Sequence, residues 1–237
     1  MNVLAIAAIV YFAILTQAIS GSGLALVAMP LLIGVLPPLQ AATLVSLMSI
    51  TTQIIMMMRY YRALTLHGLW RLIVGAIIGI PIGILALSHL DSHVILTVLG
   101  VLLIAYSLYS LIAPKIPPIK NKRWGFVFGF VSGLLHGAYN TGGPPYVIYG
   151  VSQEWKSAQY KSNLQALLMV NSITVVLAHI TAGHVTADVL GNYLIALPMI
   201  LLGAFTGFIL DRYINEQVFR KIVLVVLLLI GIKMLLP

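Results

Sequence analysis

The segment that decides the fold is GLLHGAYNTGGPP, residues 133–145, which lies between apolar runs at residues 124–131 and 146–151. A related segment, TQAISGSG at residues 16–23, interrupts the apolar start of the chain. Glycine and proline in the middle of apolar sequence predict a broken helix. Inside a membrane, broken backbone persists only where protein buries it or where it lines a watery cavity. Two such breaks in corresponding places therefore indicate a transport site.

The composition is that of an integral membrane protein with little soluble domain. Of the 237 residues, 61% are hydrophobic and 8% are charged, whereas soluble proteins carry about 25% charged residues. The mean hydropathy is +1.07, and several apolar runs approach the ~20 residues that cross a bilayer. The chain has no cysteine, which excludes thiol redox chemistry, disulfides and cysteine-ligated metals. We expect the lipid bilayer as a partner, and neither a metal nor another cofactor.

The net charge of +8 is compatible with nucleic-acid binding, but basic residues that flank and orient membrane helices explain it better. We therefore expect no nucleic-acid partner. The first apolar run, residues 1–19, lacks a basic start, so it is expected to stay in the protein as a helix and not to be removed as a signal peptide.

The chain divides into two repeats of the same plan. Residues 1–113 hold a glycine-broken helix pair followed by three spanning helices, and residues 124–237 repeat that order. Residues 114–123 form a basic linker, predicted to be cytoplasmic. The fourth span carries glycines every four residues, Gly75, Gly79 and Gly83, which predicts close helix packing. The predicted fold class is all-α, a polytopic membrane protein of two repeats.

The basic residues predict that the two repeats are inverted. If each broken pair crosses the membrane an even number of times, twelve of the 13 Lys and Arg residues fall on one face. If each pair is one kinked crossing, the split is eight to five. The positive-inside rule favours the first arrangement, with both termini outside the cytoplasm. Re-entrant hairpins and double crossings both remain open, although the short run at residues 24–36 favours a hairpin there.

The two breaks predict an anion site near the middle of the membrane. A helix that begins inside the membrane presents free N–H groups and the positive end of its dipole, which bind an anion without Lys or Arg. We expect Asn140 or Thr141 to cap the helix after the second break, with Pro144 in its first turn. At the first break, Ser20 and Ser22 are the expected caps.

The candidate substrate contacts lie at the breaks and on the polar faces of two spans. Glycine lets an anion approach the backbone closely, and neutral donors bind weakly enough for release. Helix packing is an equally good role for each amide on the spans, and His136 suits a substrate donor, a proton carrier or a packed loop. The candidate residues are Gly21, Ser22, Gly23, Gln53, His136, Asn140, Thr141, Gly142, Gly143, Asn163 and Asn171.

In order and spacing these motifs resemble the sulfite exporter TauE/SafE family of membrane permeases over nearly the whole chain. The resemblance rests on the first break with its later proline at residues 21–32, on the second break, and on the KSN and NS motifs at residues 161–163 and 171–172. The first break departs from the family's fuller glycine run at Ser22. The resemblance implies a transporter, not an enzyme, for a small sulfur-containing anion such as sulfite, an organosulfonate or sulfoacetate. It also implies the plasma membrane of a prokaryote, with export as the expected direction.

The sequence thus predicts a secondary transporter that works by alternating access. An anion channel of the same fold and a non-transporting membrane scaffold remain alternatives. A thiol-electron carrier is excluded because the chain has no cysteine. The sequence leaves open the anion, the direction of transport, the coupling ion, for which a proton is a candidate, and the oligomeric state.

Overall fold

The structure is a computed structural model that describes residues 3–65, 68–112, 117–211 and 213–236. These residues form ten α-helices and contain no β-strand. The first half holds α1 (Val3–Ser20), α2 (Leu24–Ile33), α3 (Pro38–Tyr60), α4 (Trp70–His89) and α5 (Ser92–Ile112). The second half holds α6 (Trp124–Tyr139), α7 (Gly143–Ser152), α8 (Ser157–Thr181), α9 (Ala187–Leu210) and α10 (Glu216–Leu235). The start of the predicted linker, including Lys115, and Arg212 lie outside the described residues.

The predicted all-α membrane fold is confirmed. Among the helices in the described ranges, α1, α3, α4, α5, α8 and α9 are long and apolar enough to cross a membrane. Their outward side chains are large and apolar: Phe12, Leu194 and Phe205 are 59%, 65% and 64% exposed. Such a surface suits lipid rather than water.

The second broken pair is a hairpin and not a kinked crossing. After Asn140 the chain folds back along α6, so that the Gly142 carbonyl accepts a hydrogen bond from the Ser132 hydroxyl. Further along, the rings of Phe128 and Tyr149 lie 5.6 Å apart. Ten residues of α7 extend only about 15 Å, half of the ~30 Å hydrocarbon core. The pair therefore enters and leaves at the same end of the bundle.

The first broken pair also reverses direction. The backbone N–H of Leu24 donates to Oε1 of Gln17, seven residues earlier. A Cβ on Gly23 would lie 3.0 Å from the Thr16 side chain, which places the break against the last turns of α1. Like α7, α2 has ten residues and is too short to cross alone.

Glycine stripes bring helices of opposite halves into backbone contact. A Cβ on Gly79 of α4 would lie 2.3 Å from the Phe130 carbonyl, and one on Gly133 of α6 would lie 2.3 Å from the Ala76 carbonyl. The predicted packing role of the α4 glycines is confirmed. The expectation that the second break includes Gly133 and Gly137 is wrong, because both lie inside α6 and pack against α4. The break itself occupies residues 140–142.

The principal helix contacts run between the halves. Helix α4 of the first half packs on α6 of the second half, and α9 of the second half packs on α1 of the first. The long helices α3 and α8 pack on each other, as do α5 and α10. Exchanging the two halves maps this set of contacts onto itself. Since the halves interlock in this way, each break is surrounded by helices of the other half.

Candidate functional site

The first break is held by an amide side chain that crosses it. Gly21 and Gly23 have φ angles of 74° and 140°, which side chains with a Cβ rarely adopt. Gln17, in the last turn of α1, accepts from the Leu24 N–H through Oε1 (3.1 Å) and donates through Nε2 to the Gly21 carbonyl (3.4 Å). Gln17 thus satisfies a free N–H at the start of α2, the task of a helix cap.

The expected capping by serine at the first break is wrong. The residue before α2 is Gly23, which has no side chain with which to cap the helix. Ser20 instead donates back to the carbonyl of Thr16 at 2.7 Å and contacts the Ser22 carbonyl. A serine hydroxyl often bonds to the preceding helical turn in this way.

The second break is shaped by Asn140 in the left-handed conformation. Asn140 ends α6 with a φ of 56°, which asparagine tolerates better than most residues. Its Nδ2 donates to the Ala42 carbonyl of α3 at 2.9 Å. The expectation that Asn140 or Thr141 caps α7 is therefore wrong, because Gly142 occupies that position and none of the described side chains caps the helix.

Two prolines reduce the number of backbone N–H donors at the start of α7. Pro144 lies in the first turn, as predicted, and Pro145 follows it. Neither has a backbone N–H. Of the first three helical residues, only Gly143 can therefore donate to a ligand.

Each break is tied to the long polar helix of the opposite half. Gln165 of α8 donates from Nε2 to the Gly21 carbonyl at 2.7 Å. At the second break, Asn140 binds α3 through Ala42. These two hydrogen bonds join each break to the other half of the chain.

A small cavity lies between the two breaks. Its volume is about 30 Å³, room for a water molecule. Seven of the predicted site residues line it, namely Ser22, Gly23, Gln53, His136, Asn140, Thr141 and Gly143. The structure thus brings residues from both breaks to one place.

Four of the predicted residues lie elsewhere. Gly21 and Gly142 form the backbone of the breaks behind the cavity, where their carbonyls accept from Gln165 and Ser132. The structure does not bring Asn163 or Asn171 to the cavity. Asn163 binds the backbone N–H of Thr65 at 3.0 Å, near the start of α8, and Asn171 accepts from the Tyr146 hydroxyl at 3.0 Å.

Two residues that line the small cavity, Gln17 and Tyr106, were not among the site residues predicted from the sequence. Gln17 lines it and was detectable as a lone amide one turn before a glycine break. Tyr106 of α5 also lines it, but it lies in an apolar helix whose sequence shows no break, motif or polar stripe.

The cavity is polar but carries no charged side chain. Among the described lining residues there is no Lys, Arg, Asp or Glu. Four atoms around it are buried without a hydrogen-bond partner in the described structure, namely Gln53 Oε1, His136 Nδ1, Asn140 Oδ1 and Thr141 Oγ1. An unpaired buried polar atom costs about 1–3 kcal/mol, so four in one place indicate a site for a polar ligand.

A wider cavity adjoins this site and extends toward one end of the molecule. Its volume is about 400 Å³, and it shares Ser22, Gly23, Leu26 and Tyr106 with the small cavity. It reaches Trp155, in the turn after α7. That turn lies next to the linker, because Gln153 donates to the Ile119 carbonyl at 2.9 Å.

The opposite end of the bundle is closed by α3 and α8. Thr43 Oγ1 lies 3.4 Å from His179 Nδ1, which lies 3.0 Å from His184 Nδ1. Thr43 and His179 are fully buried. The site thus adjoins a wide cavity at the linker end, whereas buried side chains of α3 and α8 pack together at the other end.

Membrane-length helices around two hairpins, whose breaks meet at an uncharged polar cavity, define a polytopic membrane protein of the transporter class. The chain belongs to the sulfite exporter TauE/SafE family, whose sequence model matches residues 6–234. This confirms the resemblance seen in the motifs, and the members of this family are membrane exporters and not enzymes.

One similar protein is a probable sulfite/organosulfonate exporter TauE from Cupriavidus necator. The two chains are 27% identical over 232 residues, which cover 93% of this chain and 89% of the relative. No solved structure matches the chain at a significant level.

Proposed function

We propose that this protein is a secondary transporter that exports a small sulfur-containing anion, sulfite or an organosulfonate, across the plasma membrane of a prokaryote. The observation that carries the proposal is the meeting of two helix breaks at a buried cavity. Unpartnered polar atoms of its lining residues are buried there, and none of the described residues that line it is charged. The family and the C. necator relative supply the substrate class.

The anion is bound by backbone and neutral side chains. At the first break, Ala25 and Leu26 in the first turn of α2 line the cavity, and at the second Gly143 does so. Their N–H groups and the dipoles of α2 and α7 attract negative charge. The Thr141 hydroxyl, buried and unpartnered, adds a side-chain donor.

The hairpins support an orientation for the proposed transporter. Because each broken pair returns to the side it entered, each half has three further crossings and the halves are inverted. Among the described Lys and Arg residues, all except Lys233 then lie at the linker end, which the positive-inside rule assigns to the cytoplasm. Both termini lie outside. The wide cavity is therefore the cytoplasmic entrance, as an exporter requires in its loading state.

Transport proceeds by alternating access. In the loading state α3 and α8 close the far end around Thr43 and His179. Rocking of the halves opens this end and closes the wide cavity around the substrate. The small cavity must widen to admit an anion, because its present volume suits only a water molecule. Among the described residues on its wall, His136 is the one that carries an imidazole, which makes a proton the coupling ion to test.

Counterflow in proteoliposomes tests the proposal. Vesicles loaded with unlabelled sulfite receive labelled sulfite outside, with sulfate, thiosulfate, taurine and sulfoacetate as competitors. A transient accumulation of label supports a carrier, and the competitors rank its substrates. Equilibration without an overshoot would establish a channel instead, and no flux of any anion through folded protein would favour a scaffold.

A pair of variants tests whether anion transport depends on the small cavity. Asn140→Gly removes a cavity amide and keeps a residue that accepts a positive φ, so transport should fall. Asn163→Ala removes a buried amide outside the cavity and should leave transport intact. Equal loss in both variants would show that the cavity between the breaks is not the site.

A further inference from the structure

Asn140 offers the cavity a hydrogen-bond acceptor, although the cavity is proposed to hold an anion. Its Nδ2 is committed to the Ala42 carbonyl at 2.9 Å, and this bond fixes the orientation of the amide. Its Oδ1 is left buried and unpartnered beside the cavity. An amide oxygen repels a deprotonated oxyanion, but it accepts a hydrogen bond from a ligand that carries an O–H or N–H.

A second acceptor reinforces the first. Oε1 of Gln53, on α3, is also buried without a partner among the described residues, and Gln53 lines the same cavity. Both amides are only 3% exposed. Since unmet buried acceptors are unfavourable, the ligand that fits must bring a donor as well as negative charge.

The positive charge available to the ligand is small. The titratable side chains that line the cavity in the described structure are His136 of α6 and Tyr106 of α5, and none of the lining residues is Lys or Arg. The N-termini of α2 and α7 each contribute the equivalent of about half a positive charge. Together they balance about one negative charge, and a second charge on the ligand would be buried without compensation.

We propose that the site selects monoanions that carry a hydrogen-bond donor beside the anionic group. Sulfite is then carried as hydrogensulfite and not as the dianion, and hydroxylated sulfonates are preferred to plain alkyl sulfonates. In this proposal the O–H group of the ligand donates a hydrogen bond to Asn140 Oδ1. This inference rests on the proposed transport of sulfur-containing anions.

The charge requirement is tested by the pH dependence of sulfite counterflow. Above the second pKa of sulfurous acid the monoanion falls about tenfold per pH unit, so sulfite flux at constant total concentration should fall to the same extent. Isethionate (2-hydroxyethanesulfonate) keeps a single charge throughout and reports any effect of pH on the protein itself. A sulfite flux that stays constant or rises relative to isethionate would overturn the charge requirement.

The donor requirement is tested with isethionate and ethanesulfonate, which differ by one hydroxyl group. The wild-type protein should transport isethionate at least several-fold faster. In Asn140→Gly the preference should disappear, whereas Asn163→Ala should retain it. Equal wild-type rates for the two sulfonates would overturn the donor requirement while leaving transport itself established. No flux of any anion would instead overturn the proposed function, and this inference with it.

Discussion

Gln165 of α8 donates a hydrogen bond of 2.7 Å to the carbonyl of Gly21, a residue of the other half of the chain. The same carbonyl receives only a long bond, 3.4 Å, from Gln17. Gln165 is fully buried, and its Oε1 has no partner in the described structure. This contact fixes the position of the first break relative to α8.

We expect Gln165→Leu to reduce transport by about tenfold or more, because a carbonyl that loses its main partner costs about 1–3 kcal/mol and the break shifts. The measurement is the initial counterflow rate, normalised to folded protein in the vesicles. Thermal unfolding in detergent separates this effect from loss of stability.

Asn163→Ala is the control, since it removes a buried amide of the same helix whose partner is Thr65 and not the first break. This variant should unfold at a lower temperature and transport normally. Normal transport by Gln165→Leu would show that the position of the first break does not depend on α8.

The glycine contact between α4 and α6 predicts a large difference between two alanine substitutions. A Cβ at Gly79 would overlap the Phe130 carbonyl at 2.3 Å, whereas nothing lies within 4 Å of a Cβ at Gly191 in α9. Gly79→Ala forces two backbones apart and should destabilise the protein by about 1–3 kcal/mol or more. Gly191→Ala should be neutral or slightly stabilising, since alanine is the better helix former.

The measurement is the thermal unfolding midpoint of each variant in the same detergent, together with the yield of monodisperse protein. An unchanged midpoint for Gly79→Ala would mean that α4 and α6 do not touch at this glycine.

The fold could be predicted from the sequence because membrane helices leave strong signals. Apolar length identifies the spans, and the stripe of Gly75, Gly79 and Gly83 predicts a close contact. Glycine also caused the main error in the prediction, which was the extent of the second break. Gly133 and Gly137 indicate a break as readily as a helix contact, and only the position of α4 shows that they serve the contact.

The site could be predicted in place but not in detail. Both breaks were identifiable, and most of their residues line one cavity. The predicted capping residues were wrong because Ser20 and Asn140 donate instead to backbone carbonyls, those of Thr16 and Ala42. The sequence does not show that these side chains and carbonyls are paired. Asn163 and Asn171 share the polar face of α8, but their partners come from Thr65 and Tyr146, and only the three-dimensional fold brings these close.

Tyr106 is predicted to limit the size of the substrate. Its side chain lies on the wall of both the wide and the small cavity, in the position of a partition between them. Tyr106→Ala should merge the two spaces and improve transport of bulky sulfonates relative to sulfite. The measurement is inhibition of sulfite counterflow by sulfonates of increasing length.

Tyr106→Phe keeps the ring and serves as the matched control, with a size ranking close to that of the wild type. An unchanged ranking in Tyr106→Ala would place the size limit elsewhere along the path.

The absence of cysteine allows a direct test of the proposed orientation, because a single introduced cysteine is the only thiol in the chain. Lys122 lies in the linker, at the predicted cytoplasmic end, and Lys233 lies in the last turn of α10. If the halves are inverted and both termini are outside, an impermeant maleimide added to intact cells should label Lys233→Cys and spare Lys122→Cys. Permeabilised cells should label both, which controls for reactivity. Labelling of both variants in intact cells, or of Lys122→Cys alone, would contradict the orientation. The wide cavity would then no longer be the cytoplasmic entrance, and the inferred direction of export would lose its structural support.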